Sequence, residues 1–268
     1  SQYCRRGTRH TAAHSTGYQK GNRRMSEFKN MNVAILNATG AIAQGIAGRF
    51  AEQGAHIAAI DASAELARHA AAFDAMGPGA VHKIPFNADP KALIAACESA
   101  TGPLDVLICA APPVGQVTVF DMSAEDLRRT VEMELCVPAL LMQEAGRQMA
   151  ERGKGRIVSL FSMSAKTGVH TKVAPFAAAK GGLLAYSRVM AAELAPTGVT
   201  VNGVATALFE PQAAVLEEEE RQALAKAIPV RRFGRVSEAA RAVEFLCSRE
   251  AAFMTGETLN LSGGRFMD

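Results

Sequence analysis

Residues 32–61 read NVAILNATGAIAQGIAGRFAEQGAHIAAID, and this stretch decides the fold class. It opens with an apolar run at 33–36, continues over 42–53 with the spacing of an amphipathic helix, and closes with a second apolar run at 56–60. Runs that are apolar at every position are typical of strands covered on both faces, as in a parallel sheet. The stretch therefore predicts a strand–helix–strand unit.

The same alternation of apolar runs and amphipathic stretches continues to the end of the chain. It predicts a doubly wound parallel sheet between two layers of helices, because strands joined by helices pair in parallel with right-handed crossovers. Ser123 and Ser237 are natural helix N-caps, and Asp126 approximates a capping box with Ser123. No linker divides residues 31–268, so we expect a single domain. The further strands are predicted at 81–86, 105–109, 156–161, 200–205 and 257–261, and the further helices at 64–73, 90–100, 124–151, 174–194 and 237–248.

The first 30 residues differ from the rest in composition. They hold seven basic residues against the single acid Glu27, a net charge of +6, and since the whole chain carries +3, residues 31–268 carry −3. We expect residues 1–30 to be a disordered basic leader, with Met25 or Met31 as the natural start. A transit peptide and a nucleic-acid-binding arm are the alternatives, but a mildly acidic body argues against a nucleic-acid partner.

Composition also limits the compartment and the kind of site. There is no run of about 18 apolar residues, so the sequence predicts a soluble protein without a membrane partner. The five cysteines form no C-x-x-C pair and have no histidine at metal-binding spacing, which argues against a metal site and indicates a reducing, cytoplasmic setting. They are Cys4, Cys97, Cys109, Cys136 and Cys247.

Candidate binding residues follow the predicted strands at their carboxyl ends, where sheets of this kind bind ligands. Asn37, Gly40 and Ile42 lie in the loop that leads from the first strand into the first helix, whose free N–H groups favour an anion. Asp61 ends the second strand. Ser162 follows the fifth predicted strand.

The order and spacing of these residues resemble the short-chain dehydrogenase/reductase family over residues 31–265. In that family a serine at a strand end, a Tyr-x-x-x-Lys pair on the next long helix and an asparagine in the preceding helix form the catalytic group. Ser162 and Lys180 stand at the serine and lysine positions, Phe176 replaces the tyrosine, and Glu134 replaces the asparagine. The resemblance implies a Rossmann-like fold and oxidoreductase chemistry, yet phenylalanine has no O–H to exchange a proton. Without a tyrosine to assist, Lys180 is expected to pair with Glu134 or with backbone carbonyls.

The resemblance also implies which residues would hold a nicotinamide cofactor. The three glycines of the family's first loop become Asn37, Ala41 and Ala43; Asn37 tolerates a positive φ, whereas the methyl group of Ala41 crowds the pyrophosphate. Asp61 would accept hydrogen bonds from both ribose hydroxyls, which favours NAD over NADP. The alternative is that Asp61 is a solvated strand-end carboxylate. The cofactor-contacting residues implied in this way are Asn37, Gly40, Ile42, Asp61, Asn87 and Ala88.

Three hypotheses about function fit these residues. In the first, the chain is a pseudoenzyme: a degenerate subunit paired with an active homologous subunit for NAD-dependent oxidation of a hydroxy compound, such as a hydroxyacyl-CoA. In the second, it is an unconventional enzyme that uses Ser162 with Glu134 or His170. In the third, it is a non-enzymatic binding or regulatory module. The apolar helix at 174–194 and the closing segment at 255–264 further predict a homo- or hetero-oligomer.

Overall fold

Seven parallel strands form the centre of the molecule in the computed structural model, which describes residues 26–77, 80–112, 114–168 and 170–267. All seven predicted strands are confirmed, with ends shifted by one residue at most. They are β1 (Asn32–Leu36), β2 (His56–Asp61), β3 (Val81–Pro85), β4 (Val106–Cys109), β5 (Gly155–Ser162), β6 (Val199–Thr206) and β7 (Thr258–Leu261). The sheet order is β3-β2-β1-β4-β5-β6-β7, so the strand order reverses between β1 and β4.

Helices cover both faces of this sheet. The helix predicted at 64–73 is interrupted at His69, and the one at 124–151 contains a π-helical segment, Glu132–Cys136. Ser123 forms the predicted capping box with Asp126. The Ser237 cap is wrong, because the helix begins one residue earlier, at Val236, with Arg235 at the N-cap. The helices are α1 (Ala41–Ala51), α2 (Ser63–Arg68), α3 (Ala70–Asp74), α4 (Pro90–Thr101), α5 (Ala124–Val131), α6 (Val137–Glu151), α7 (Met163–Thr167), α8 (Ala174–Leu194), α9 (Glu210–Ala213), α10 (Glu218–Ala227) and α11 (Val236–Cys247).

Two apolar cores lie on opposite faces of the sheet. One is formed with α4, α6 and α8, and the other with α1 and α11. Both faces of β1, β2 and β4 are therefore covered, which explains why these strands are apolar at almost every position. The predicted three-layer, Rossmann-like single domain is confirmed.

The folded body includes part of the predicted leader. Residues 1–25 lie outside the described residues, but residues 26–30 pack on the domain. The ring of Phe28 is buried edge-on against Phe50, with ring centroids 5.0 Å apart, and Ser26 Oγ donates a hydrogen bond to Gln53 Oε1. The predicted boundary at residue 30 therefore moves towards the N-terminus. A single aromatic residue within a polar segment has no periodicity, so the sequence pattern could not reveal this contact.

Among the residues that the structure describes, no helix is both long enough and apolar enough to cross a membrane. The same part of the chain contains no group of three or more His, Cys, Asp or Glu side chains that could hold a metal ion. Cys97 and Cys109 are buried, and burial raises the pKa of both thiols to about 12, so they are un-ionised at neutral pH.

Candidate functional site

Glu134, Phe176 and Lys180 lie together near the carboxyl end of β5, and we call them the Lys180 cluster. Phe176 and Lys180 are one turn apart on α8, so their side chains share a face of that helix. Glu134 comes from the π-helical segment that packs against α8. Such segments are frequent at functional sites because the extra residue re-aims the side chains of the helix.

The lysine ammonium of the cluster is occupied by an internal partner. Lys180 Nζ lies 2.8 Å from Glu134 Oε2, and the two residues are only 1% and 4% exposed. At this separation the two side chains form an ion pair. Of the two kinds of partner predicted for Lys180, Glu134 or backbone carbonyls, the structure shows Glu134.

Burial controls the electrostatics of this ion pair. Removal from water raises the pKa of Glu134, and the positive charge of Lys180 offsets part of that increase. The carboxylate and the ammonium are both buried and in contact, so their opposite charges offset each other. The net charge that the cluster presents to its surroundings is consequently close to zero.

Phe176 contributes an aromatic ring that lies close to the Lys180 ammonium. Its ring centroid is 5.9 Å from Lys180 Nζ, within the range of a cation–π contact, and the residue is 6% exposed. A ring without an O–H stabilises the ammonium but cannot transfer a proton. The sequence located all three members of the cluster, and the structure brings them together.

Ser162, the last residue of β5, is also satisfied within the protein. Its Oγ accepts a hydrogen bond from Ser164 N at 3.1 Å and donates to Ser164 Oγ at 3.2 Å. Ser164 Oγ in turn lies 3.1 Å from His170 Nδ1. Burial, followed by the charge of Arg265, lowers the pKa of His170, so its ring is mainly neutral at pH 7.

Sequence reasoning missed the role of Ser164 in this chain of hydrogen bonds. The available signal was a serine at a strand end followed two residues later by a second serine, a spacing at which side chain and backbone bond locally. The consequence for Ser162 is that its O–H points towards its own chain rather than into open space.

The loop after β1 keeps the shape of a phosphate-binding turn in part. Asn37 adopts a φ of 56°, as its tolerance of positive φ predicts, and its Nδ2 donates to the carbonyl of Ala110 at the end of β4. Gly40 is the N-cap of α1, and no side chain caps the first N–H groups of that helix. Ala41 is exposed there, whereas Ile42 packs partly buried on the α1 side of the sheet.

The carboxylate of Asp61 is largely occupied by the neighbouring loop. Its Oδ2 accepts hydrogen bonds from Thr39 Oγ1 at 2.7 Å and from Thr39 N at 3.1 Å, and its Oδ1 accepts one from Ala62 N at 2.8 Å. A carboxylate has about four acceptor positions, so about one is left. The predicted contact with both ribose hydroxyls needs two. Thr39, which sequence reasoning overlooked, therefore competes directly with a ribose.

The remaining predicted contacts stay near the surface. Asn87 and Ala88 are exposed after β3, and Asn87 Oδ1 accepts a hydrogen bond from Asp89 N, which forms a local turn. After β4, Pro112 has no N–H to offer a ligand. Pro113, the next residue, lies outside the described residues.

These contacts decide how well the residues fit a nicotinamide dinucleotide. The uncapped start of α1 fits a pyrophosphate, because its N–H groups are free. Asp61 and Lys180 are not available to hydrogen-bond the riboses of such a cofactor, because Asp61 is bound to Thr39 and Lys180 is bound to Glu134. The site as a whole therefore does not fit a tightly held dinucleotide, although its position at the strand-order reversal is the expected one.

Several known proteins with a similar sequence or structure are reductases. A family profile described as enoyl-(acyl carrier protein) reductase matches residues 37–265. The 3-oxoacyl-[acyl-carrier-protein] reductase FabG of Escherichia coli is 33% identical over 183 residues, which cover 67% of this chain and 75% of that protein.

Two crystal structures superpose on most of the chain. The 3-oxoacyl-[acyl-carrier protein] reductase of Brucella melitensis gives a TM-score of 0.82 at 28% identity, covering 91% of this chain and 94% of that one. A variant of the actinorhodin polyketide ketoreductase, crystallised with NADPH, gives a TM-score of 0.80 at 28% identity, covering 88% and 97%.

Proposed function

This chain belongs to the short-chain dehydrogenase/reductase family of oxidoreductases, and we propose that it is a non-catalytic subunit that works together with a catalytically complete homologue. The observation that carries this proposal is the Lys180 cluster. Its ammonium is neutralised by Glu134 and covered by Phe176, so neither a proton donor nor a free positive charge faces a substrate.

The polar groups around the cluster support the same conclusion. Ser162 Oγ donates a hydrogen bond to Ser164 Oγ, and Asp61 Oδ2 accepts a hydrogen bond from Thr39 Oγ1. In a working site these groups would be aimed at substrate or cofactor, because catalysis requires donors and acceptors placed where the reacting atoms lie. Here each of them already has a partner in its own chain. The fold is retained while the groups that would perform the chemistry are engaged elsewhere.

The surface offers places where a second subunit could pack. On α8 the exposed residues Ala178, Ala185, Val189 and Ala192 share one face, which the exposed charged residues Arg188 and Glu193 flank; the small side chains along its centre allow close approach of another helix. Strand β7 is an edge of the sheet, paired with β6 alone among the described strands. The fully exposed ring of Phe253, a few residues before this strand in the chain, favours burial against a partner.

Any bound cofactor is expected to be NAD rather than NADP, because the Asp61 carboxylate repels an added 2′-phosphate. Calorimetric titration should show weak binding of NAD and weaker binding of NADP. Thr39→Ala frees an acceptor position on Asp61, so it should tighten NAD by about tenfold, the value of one hydrogen bond to a charged group. A matched change at the opposite end of the sheet, Thr101→Ala, should leave the affinity unchanged. Tighter binding of NADP than of NAD would rule out this role for Asp61.

The substrate class of the proposed assembly is a hydroxyacyl or oxoacyl thioester, with a hydroxyacyl-CoA as one member of that class. The support is that two of the relatives are 3-oxoacyl-[acyl-carrier-protein] reductases. A thioester of coenzyme A presents the same acyl and pantetheine chemistry near the reacting carbon. We therefore choose both carriers for the assays.

Co-expression with a homologue that retains the tyrosine tests the proposal. The two chains should co-purify as a dimer or tetramer by light scattering, and the mixture should oxidise a hydroxyacyl thioester. Ser162→Ala in this chain should leave that activity within about twofold, whereas replacing the corresponding serine of the homologue should reduce it by roughly 10²-fold or more. Equal losses from both replacements would contradict the non-catalytic role.

One observation favours a second candidate, an unconventional enzyme. The hydrogen bonds Ser162–Ser164–His170 connect the strand end to a titratable ring, which could supply a proton in place of the missing tyrosine. Turnover by the purified chain that falls when His170→Ala is introduced would favour this candidate. A monomer that neither turns over nor binds any homologue would favour the binding-module hypothesis instead.

A further inference from the structure

We propose that Glu134 neutralises the positive charge of the Lys180 ammonium. A tyrosine introduced at position 176 would therefore not, by itself, have an activated phenol. This inference rests on the proposed function, because it concerns the same cluster. It assigns Glu134 a positioning role that acts through Lys180. The absence of a hydroxyl at position 176 is then one of two changes that remove the catalytic function of the site, and the carboxylate at position 134 is the other.

The distances from the Lys180 ammonium to its neighbours support this proposal. Lys180 Nζ is 2.8 Å from Glu134 Oε2 but 5.9 Å from the centroid of the Phe176 ring. The ammonium therefore sits closer to the carboxylate than to any position that a phenol at 176 could take in the same ring plane. A salt bridge at this separation holds the ammonium in one place.

The charges of Lys180 and Glu134 support the proposal as well. A lone ammonium within about 4–6 Å stabilises a phenolate and lowers the pKa of the phenol. When the ammonium is paired with a carboxylate, the two opposite charges largely cancel at the distance of the ring. Burial strengthens the effect of each charge, since at 1% and 4% exposure little water screens either one, so the carboxylate strongly opposes the effect of the ammonium.

Two other titratable groups near position 176 could influence a phenol there. Cys109 of β4 is close enough to Lys180 to feel its charge, but burial raises the pKa of this thiol to about 12, so it stays neutral through most of the titration. His170 is bonded to Ser164 and is mainly neutral. Glu134 is then the charged group that distinguishes this cluster from a simple lysine–aromatic pair.

The experiment is a phenol titration, which requires neither cofactor nor partner. We would introduce Phe176→Tyr alone and together with Glu134→Gln, and follow ultraviolet absorbance against pH. The matching proteins with Phe176 serve as blanks, so that the native tyrosines cancel. The phenol of Phe176→Tyr alone should ionise at or above its ordinary pKa of about 10. Adding Glu134→Gln should increase its ionisation constant by at least about tenfold.

Two controls separate the charge effect from general loosening. Glu144→Gln removes another poorly exposed carboxylate, which lies on α6 and pairs with Arg147, and it should leave the phenol unchanged. Adding Lys180→Met to the double variant should abolish the tenfold increase, because the ammonium is its source. Near-ultraviolet circular dichroism establishes that each variant is folded.

The proposal is overturned by either of two results. One is a pKa well below 10 for the phenol of Phe176→Tyr while Glu134 is intact, and this measurement does not depend on the folding of any Glu134 variant. The other is the same ionisation constant with and without Glu134→Gln. Both are independent of whether the wild-type chain turns over or binds a homologue, so the proposed function is tested separately.

Discussion

Purified without a partner, the chain is expected to turn over hydroxyacyl or oxoacyl thioesters with NAD or NADP at least about 10²–10⁴-fold more slowly than a complete family member. That factor is the typical contribution of a positioned general acid, and Phe176 supplies none. Weak cofactor binding adds to the loss, because Thr39 occupies the Asp61 carboxylate. Steady-state assays with saturating substrate would measure the effect.

An intact homologue, assayed in the same buffer and with the same substrates, is the control for this experiment. Turnover by the present chain at ordinary enzyme rates, about 1 s⁻¹ or faster, would refute the non-catalytic assignment. The His170→Ala variant then shows whether the Ser162–Ser164–His170 chain is responsible. Phe176→Tyr alone is expected to leave the rate within about tenfold of the wild type, since Glu134 still neutralises Lys180.

Replacing one member of the buried ion pair should strongly destabilise the fold. We expect Glu134→Gln to lower the free energy of unfolding by roughly 3–5 kcal/mol, because it leaves the Lys180 ammonium buried without a counter-charge. Burial of this pair is nearly complete, so neither group can turn to water without disturbing α8. Urea unfolding followed by circular dichroism measures the change.

Two further variants test the reason for that loss. Glu144→Gln should cost no more than about 1 kcal/mol, because its partner Arg147 is half exposed and can be solvated instead. The double change Glu134→Leu with Lys180→Met should be close to neutral, since both buried charges disappear together. A loss below about 1 kcal/mol for Glu134→Gln would mean that water reaches the cluster and that the two charges are not held by each other.

The two predictions differ in what they require of the site. The turnover prediction depends on the absent hydroxyl and on the cofactor contacts. The stability prediction depends only on the pairing of Glu134 with Lys180. If both results are obtained, the region resembles an active site in position but behaves as part of the core, with charged groups that support the fold instead of a reaction.

Several features of this protein were determined by the sequence alone. Apolar runs such as 33–36 and 56–60 form strands wherever they lie between helices, since no polar face is available to them. The spacing from Ser162 to Lys180 placed both residues at the carboxyl end of the sheet. The replacement of a tyrosine by Phe176 is a covalent fact that no tertiary contact can alter, so the loss of the proton donor was readable without a structure.

Only the tertiary structure decided which partners the polar groups have. Thr39 and Asp61 are 22 positions apart, yet they share two hydrogen bonds that leave little of the carboxylate for a ribose. Phe28 is buried although its neighbours in sequence are polar. Glu134 had been one of several possible partners for Lys180, and packing of the π-helical segment against α8 selected it. The physical reason is that periodicity reports which face of an element is buried, whereas the partner of a single polar side chain depends on distances between elements that are far apart in the chain.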